Sequence, residues 1–121
     1  LEAIRKDPEI RLWGDRLMIT REGAERLVVG SIVFHGRPDA SGVAEIGYGV
    51  EESFQGRGVA TEATLAAVEW ALAQPGVRVV TATTPPWHAA SIRVLERVGL
   101  TRIGTEEHET IGEVLRFERR R

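Results

Sequence analysis

A long helical pattern enclosed by two strand-like segments constrains the fold more than any other feature. The segment ATEATLAAVEWALAQPG, residues 60–76, is rich in alanine and leucine and favours a helix that ends at Gln74-Pro75-Gly76. VAEIGYGV, residues 43–50, precedes it and alternates like a strand, and VRVVTATT, residues 77–84, follows it and is typical of a buried strand. A strand–helix–strand connection of this length joins parallel strands, so the middle of the chain predicts a parallel pair.

The remaining segments predict strands at both ends of the chain and a second helix. They are a helix tail ending near Asp7-Pro8, strands in 11–20 and 27–35 joined by a turn at Gly23, a helix in 89–99, and strands in 100–105 and 110–119 joined through Glu106 to Glu109. The order predicts an α/β (α+β) fold with a single mixed, mostly antiparallel sheet flanked by helices.

The composition excludes several classes of function. The 121 residues carry a formal net charge of −2, which disfavours nucleic acid as a partner. The chain has no cysteine, so disulfides and thiolate chemistry are excluded, and three dispersed histidines predict no metal site. No apolar run has the length of a membrane span. A cytoplasmic location is expected by default, although a chain that begins at Leu1 could have residues upstream.

The turn QGRGVA, Gln55 to Ala60, lies between the third strand and the first long helix. Glycines at this place let several backbone N–H groups point at one spot, and the start of a helix attracts anions. Arg57 adds a forked cationic donor. The turn therefore predicts a phosphate site, although a simple connection would use similar residues.

These residues resemble the GNAT acetyltransferase superfamily. QGRGVA matches the family signature Q/R-x-x-G-x-G/A, and EIGYGVEESFQGRGVATEA and ASIRVLERVGL look like the ribosomal-protein N-acetyltransferase branch. The similarity spans roughly residues 13–117. It implies acetyl-CoA as co-substrate and no metal.

The resemblance also implies which residues bind the coenzyme. The strand backbone would hold the pantetheine arm, the turn would cradle the pyrophosphate, and the second helix would approach the sulfur. The residues concerned are Ile46, Gly47, Tyr48, Val50, Gln55, Gly56, Arg57, Gly58, Val59, Ala60, His88 and Ser91.

Three residues are candidates for catalysis. Glu45 shares a strand face with Gly47 and could act as general base, while a salt-bridged surface glutamate would explain it as simply. Ser91 is the preferred acid for the leaving thiolate, with local helix capping as the alternative. Tyr48 is a second acid candidate, although alternation places it opposite Glu45, and packing in the core would also account for it.

The loop before the second helix departs from the family pattern. The branch usually has asparagine where this chain has His88, which puts that coenzyme contact in doubt. Trp87 beside it could wall the pantetheine channel or pack on the core. His35 and His108 are interpreted as loop or strand-end residues without a role.

The leading hypothesis is a single acetyl-CoA-binding acetyltransferase domain over residues 1–121 that acetylates a primary amine by direct attack. The acceptor would be a protein N-terminus or a small-molecule amine. Relatives usually carry a further strand and helix before this segment, so the domain is expected to lack them unless they precede Leu1. The alternatives are a non-catalytic CoA-binding member of the fold and a domain for another phosphate ligand such as a nucleotide. An exposed strand edge near the C-terminus would permit a homodimer.

Overall fold

Six strands and two helices form the described part of the protein. The computed structural model describes residues 13–14, 16–22, 25–35, 38–50 and 58–121. In chain order the elements are β1 Arg16–Glu22, β2 Glu25–Phe34, β3 Val43–Val50, α1 Val59–Ala73, β4 Val79–Thr84, α2 Ala89–Arg97, β5 Thr101–His108 and β6 Gly112–Arg120. The predicted order of elements is confirmed. The predicted helix tail at Asp7-Pro8, the start of the first predicted strand and the turn at Gly23 lie outside the described residues.

The six strands form one mixed sheet in the order β1-β2-β3-β4-β6-β5. The β3–β4 pair is parallel and the other four pairs are antiparallel. The parallel pair belongs to the predicted strand–helix–strand unit, since α1 connects its two strands. The fold class predicted from the sequence is therefore confirmed.

The two strands of the parallel pair separate after three residue pairs. Their ladder runs from Val43↔Val79 to Glu45↔Thr81. Beyond it, the rest of β3 pairs with β2 and the rest of β4 pairs with β6. The facing backbone edges of Ile46–Val50 and Ala82–Thr84 thus leave the ladder and bound a gap in the sheet.

Both helices contribute to one hydrophobic core. Val68 and Ala71 of α1 are fully buried, and Leu95 of α2 is nearly so. They join a cluster that includes Ile46 of β3 and Phe117 of β6. Burial of the larger of these side chains, such as Val68, Leu95 and Phe117, stabilises the folded state by roughly 1.5–3 kcal/mol each. This cluster therefore holds the helices against the sheet.

An aromatic group closes the β1–β2 end of the core. Trp13 meets Phe34 edge-on at 5.1 Å between ring centroids and Trp70 at 4.9 Å. Edge-to-face contacts add to the apolar burial of such rings. Trp70 thereby connects α1 to β2 at the end of the sheet away from β6.

Gly42 positions the start of β3 against the chain that leads into β4. Its carbonyl accepts the backbone N–H of Arg78 at 2.8 Å and that of Val79 at 3.2 Å. Its φ is +79°, and a Cβ there would lie 2.6 Å from the Gly76 carbonyl oxygen. A side chain at this position would collide with backbone, so the close approach of the two strands depends on glycine.

Strand β5 contrasts with the rest of the sheet. It lies at the edge beside β6, and all eight of its residues are exposed. Its register with β6 shifts between Arg102 and Gly104. Within the described residues, the structure contains no helix with the length and apolarity that crossing a bilayer requires.

Candidate active site

A cavity of about 630 Å³ fills the gap where β3 and β4 separate. Its walls come from the diverging strands, the first turn of α1 and one side of α2. The predicted site residues Ile46, Gly47, Tyr48, Gly58, Ala60, His88 and Ser91 line it. A volume of this size is typical of small-molecule sites, and the unpaired strand edges offer backbone donors and acceptors to an extended ligand.

Tyr48 and Ser91 meet across the cavity, one from β3 and the other from the first turn of α2. The Tyr48 hydroxyl lies 3.1 Å from Ser91 Oγ and 3.3 Å from the Ser91 carbonyl oxygen, either of which can accept its proton. Burial raises the pKa of Tyr48, and the hydrogen bond to Ser91 offsets part of that rise. A phenol with a raised pKa keeps its proton, so this pair can supply a proton to a group bound in the cavity.

His88 caps helix α2. Its side chain accepts the backbone N–H of Ser91 at 3.2 Å through Nδ1. This is the capping role that asparagine commonly fills at the start of a helix. The departure from the family pattern therefore leaves the helix start intact, and Ser91 keeps its place beside Tyr48.

Glu45 lies on the other side of β3 and is not among the residues that line the cavity. Its carboxylate is hydrogen-bonded to His35 Nδ1, and both side chains are about half exposed. The backbones pair as well, since the His35 N–H donates to the Glu45 carbonyl at 2.9 Å. Within the described residues, this pair is not part of a group of three or more potential metal ligands.

The start of α1 is described only from Gly58. Gly58 is the N-cap, with φ +80°, and among the described residues no heavy atom beyond its chain neighbours lies within 4 Å of where its Cβ would be. Gln55, Gly56 and Arg57 lie outside the described residues, as does the side chain of Val50. Val59 packs against the core and does not line the cavity.

Several residues around the cavity were not singled out by the sequence. Arg93 and Arg97 line it from α2, one turn apart, and their guanidinium groups suit an anionic ligand.

Trp87 is 77% exposed and stacks on His88, so the prediction that it packs on the core is wrong. His35 was assigned no role, although the register of β2 against β3 would have placed it opposite Glu45.

Comparison with known proteins agrees with this arrangement. The sequence model of the acetyltransferase (GNAT) domain matches residues 3–101. The curated protein described as uncharacterized N-acetyltransferase YjdG of Bacillus subtilis (strain 168) is 33% identical over 72 residues. That match covers 60% of this chain and 43% of the relative, so the chain corresponds to less than half of that protein's length.

Solved structures share the fold. An acetyltransferase of the GNAT family from Bacillus anthracis is 25% identical with a TM-score of 0.70, over 81% of this chain and 61% of that one. Mycobacterium smegmatis RimJ in complex with CoA-disulfide is 23% identical with a TM-score of 0.75, over 98% of this chain and 58% of that one. With the family match spanning most of the sequence, the chain belongs to the GNAT acetyltransferase domain family.

Proposed function

We propose that this protein transfers the acetyl group of acetyl-CoA to a primary amine. One observation carries the proposal. The cavity lies where β3 and β4 separate, and a hydroxyl pair that can donate a proton faces into it. Membership of the family supports the reaction type, and the geometry supports the roles proposed for the groups around the cavity.

The coenzyme would enter the gap as an additional strand. The amides of its pantetheine arm can hydrogen-bond to the free backbone edge of Ile46–Val50, as an extended peptide adds to a sheet. Its pyrophosphate would bind at the segment of residues 55–60 that precedes and enters α1, since helix N-termini attract anions. Arg93 and Arg97 on the cavity wall would add positive charge. RimJ, which binds CoA-disulfide, has the same fold.

The proposed catalytic groups then lie on both faces of β3. A backbone N–H near Tyr48 would polarise the thioester carbonyl. Ser91, hydrogen-bonded to Tyr48, would protonate the departing thiolate. The attacking amine would be deprotonated from the opposite face of β3, the face that carries Glu45. No covalent enzyme intermediate is needed, because the amine attacks the thioester directly.

The acceptor is proposed only as a class. A protein N-terminus is favoured by the likeness of EIGYGVEESFQGRGVATEA to the ribosomal-protein branch, and a small-molecule amine would use the same chemistry. The second candidate is a member of the fold that binds CoA without turnover. The unusual His88 favoured that alternative, and this support weakens because His88 performs the capping role of the usual asparagine.

The test compares two glycines of matched conformation. Gly58 and Gly76 both have φ near +80°. In the part of the chain that the structure describes, neither has a non-neighbouring atom within 4 Å of its Cβ position, and of the two Gly58 alone lines the cavity. Isothermal titration calorimetry with acetyl-CoA is therefore run on the wild type, Gly58→Glu and Gly76→Glu. A carboxylate placed where phosphates bind should weaken binding by about 100-fold or more, the loss of one or two charge-assisted contacts.

Turnover is measured next, as free thiol released from acetyl-CoA with a peptide bearing a free N-terminus or with spermidine. Binding that is lost in Gly58→Glu but kept in Gly76→Glu, together with thiol release, supports the acetyltransferase. Binding without release from either amine favours the non-catalytic alternative. Equal weakening by both substitutions would contradict the placement of the phosphates.

A further inference from the structure

We propose that His35, and not Glu45, accepts the proton of the attacking amine, and that Glu45 orients the His35 ring. This inference rests on the proposed acetyl transfer. His35 lies outside the signature turn and outside β3, the strand on which the sequence placed the candidate base Glu45.

The sheet register sets the pair in place. The β2–β3 ladder runs through Phe34↔Ile46, and the next residues in register are His35 and Glu45. The His35 N–H bonds the Glu45 carbonyl, and His35 Nδ1 bonds the Glu45 carboxylate. Backbone and side chain therefore both hold the imidazole at the end of β2.

The orientation of the ring directs its second nitrogen toward the cavity lip. A Cβ built on Gly47 would lie 3.5 Å from His35 Nε2. Gly47 lines the cavity. Since glycine has no side chain, Nε2 lies over bare backbone at the edge of the gap, and a larger residue there would stand between the ring and the gap.

The hydrogen bond to Glu45 favours the tautomer of His35 in which Nε2 can accept a proton. A carboxylate only accepts, so a neutral His35 must carry its proton on Nδ1, which leaves a lone pair on Nε2. Among the described residues, no hydrogen-bond partner of Nε2 is found. Imidazole changes protonation closest to neutral pH of all side chains, which suits a general base. Neither side chain lines the cavity itself, but Nε2 lies over Gly47, which does, whereas the Glu45 carboxylate is engaged by Nδ1. Glu45 therefore acts through the ring.

The proton and electron pairs balance in this scheme. The ammonium form of the acceptor gives one proton to His35 Nε2, and the freed amine lone pair attacks the thioester carbon. A C–N bond forms and the C–S bond breaks, and the leaving sulfur takes its proton from the Ser91 hydroxyl. The second proton of the attacking nitrogen, which the new C–N bond makes acidic, returns to the Ser91 oxygen. The imidazolium then releases its proton to water, which the half-exposed side chain can reach. The products are the amide, free CoA thiol and one solvated proton.

A purely structural reading would treat the pair as a surface contact. Exposed ion pairs contribute only about 0–1 kcal/mol to stability, so removing His35 should then change neither folding nor turnover. The substitution His35→Asn separates the two readings. The asparagine amide can still donate to Glu45, but it has no lone pair in place of Nε2.

The kinetic test uses His35→Asn, His35→Ala and the control His108→Gln. His108 lies at the end of β5 and does not line the cavity. We expect His35→Asn to lower kcat by about 10²–10⁴-fold, the range of a lost general base, with an unchanged KM for acetyl-CoA and an unchanged melting temperature. Added imidazole should restore part of the activity of His35→Ala but not of Gly58→Glu. Wild-type kcat in His35→Asn would overturn the proposal.

A second readout does not depend on turnover, so it keeps this inference distinct from the proposed function. Long-range ¹H–¹⁵N spectra of the labelled protein report which ring nitrogen of His35 carries the proton. When the His35 ring of the wild type is neutral, we expect its proton on Nδ1 and none on Nε2. In Glu45→Gln we expect this preference for the Nδ1 tautomer to be lost. A proton found mainly on Nε2 would overturn the inference even if the protein proves to be an acetyltransferase. Failure of acetyl-CoA binding would instead contradict the proposed function.

Discussion

The two faces of strand β3 differ in what covers them. On one face, Ala44 and Ile46 are buried beneath the helices, and Tyr48 reaches Ser91 of α2. On the other face, Glu45 is about half exposed and bonded to His35. Period-two alternation alone produces this division. The strand thus places the hydroxyl pair and the His35–Glu45 pair on opposite faces of its own backbone.

The largest expected effect is on the free energy of unfolding. It shows whether residues on the helix-covered face of the sheet contribute most of the stability. Phe117 is 1% exposed in the shared core, whereas Leu17 on β1 is 63% exposed. Phe117→Ala should lower the free energy of unfolding by about 3–5 kcal/mol, and Leu17→Ala should change it by less than about 0.5 kcal/mol. Urea unfolding followed by circular dichroism measures both. Similar losses in the two variants would show that the faces do not differ in this way.

The next effect concerns the donor side of β3. Ser91→Ala removes the hydroxyl proposed to protonate the thiolate, so kcat should fall by about 100-fold with little change in the KM for acetyl-CoA. Ser41, an exposed residue of the turn before β3, provides the control Ser41→Ala. Steady-state thiol release measures both variants. Unchanged kcat in Ser91→Ala would transfer the donor role to Tyr48 or to water.

The smallest effect concerns the support of that donor. His88→Ala removes the cap of α2 and should lower the free energy of unfolding by about 1 kcal/mol, while His88→Asn should preserve it. The shift of the urea midpoint distinguishes the two. If both variants lose the same amount, the side-chain contact to the Ser91 N–H is not what stabilises the helix start.

The sequence predicted the order of elements because the patterns are local. Alternation in β3, the alanine- and leucine-rich run of α1 and its end at Gln74-Pro75-Gly76 each depend on residues close in the chain. The family resemblance predicted the residues around the cavity, such as Tyr48 and Ser91, because they belong to short motifs. The described structure leaves the phosphate-binding role of Gln55 to Arg57 as a prediction.

Other features depended on distant contacts. The separation of β3 from β4 after Glu45 is a property of two ladders, and no pattern within either strand reports it. His35 gains its partner only through the hairpin register, and a histidine at a strand end carries no mark of that partner. Trp87 was expected at a wall or in the core, because tryptophan is usually covered, but it stands exposed beside His88.

Strands β5 and β4 differ in how strongly a side-chain substitution would affect the stability of the fold. None of its eight residues is buried, so its side chains contribute little apolar burial to stability. Its attachment rests mainly on backbone bonds to β6, which any non-proline residue can supply. Side chains of β5 can therefore be substituted with little loss in the free energy of unfolding. Strand β4 has five of its six residues buried, so most substitutions there should destabilise the fold. The β5 edge of the sheet is therefore where substitutions should disturb the fold least, and where a binding surface could be altered without unfolding the domain.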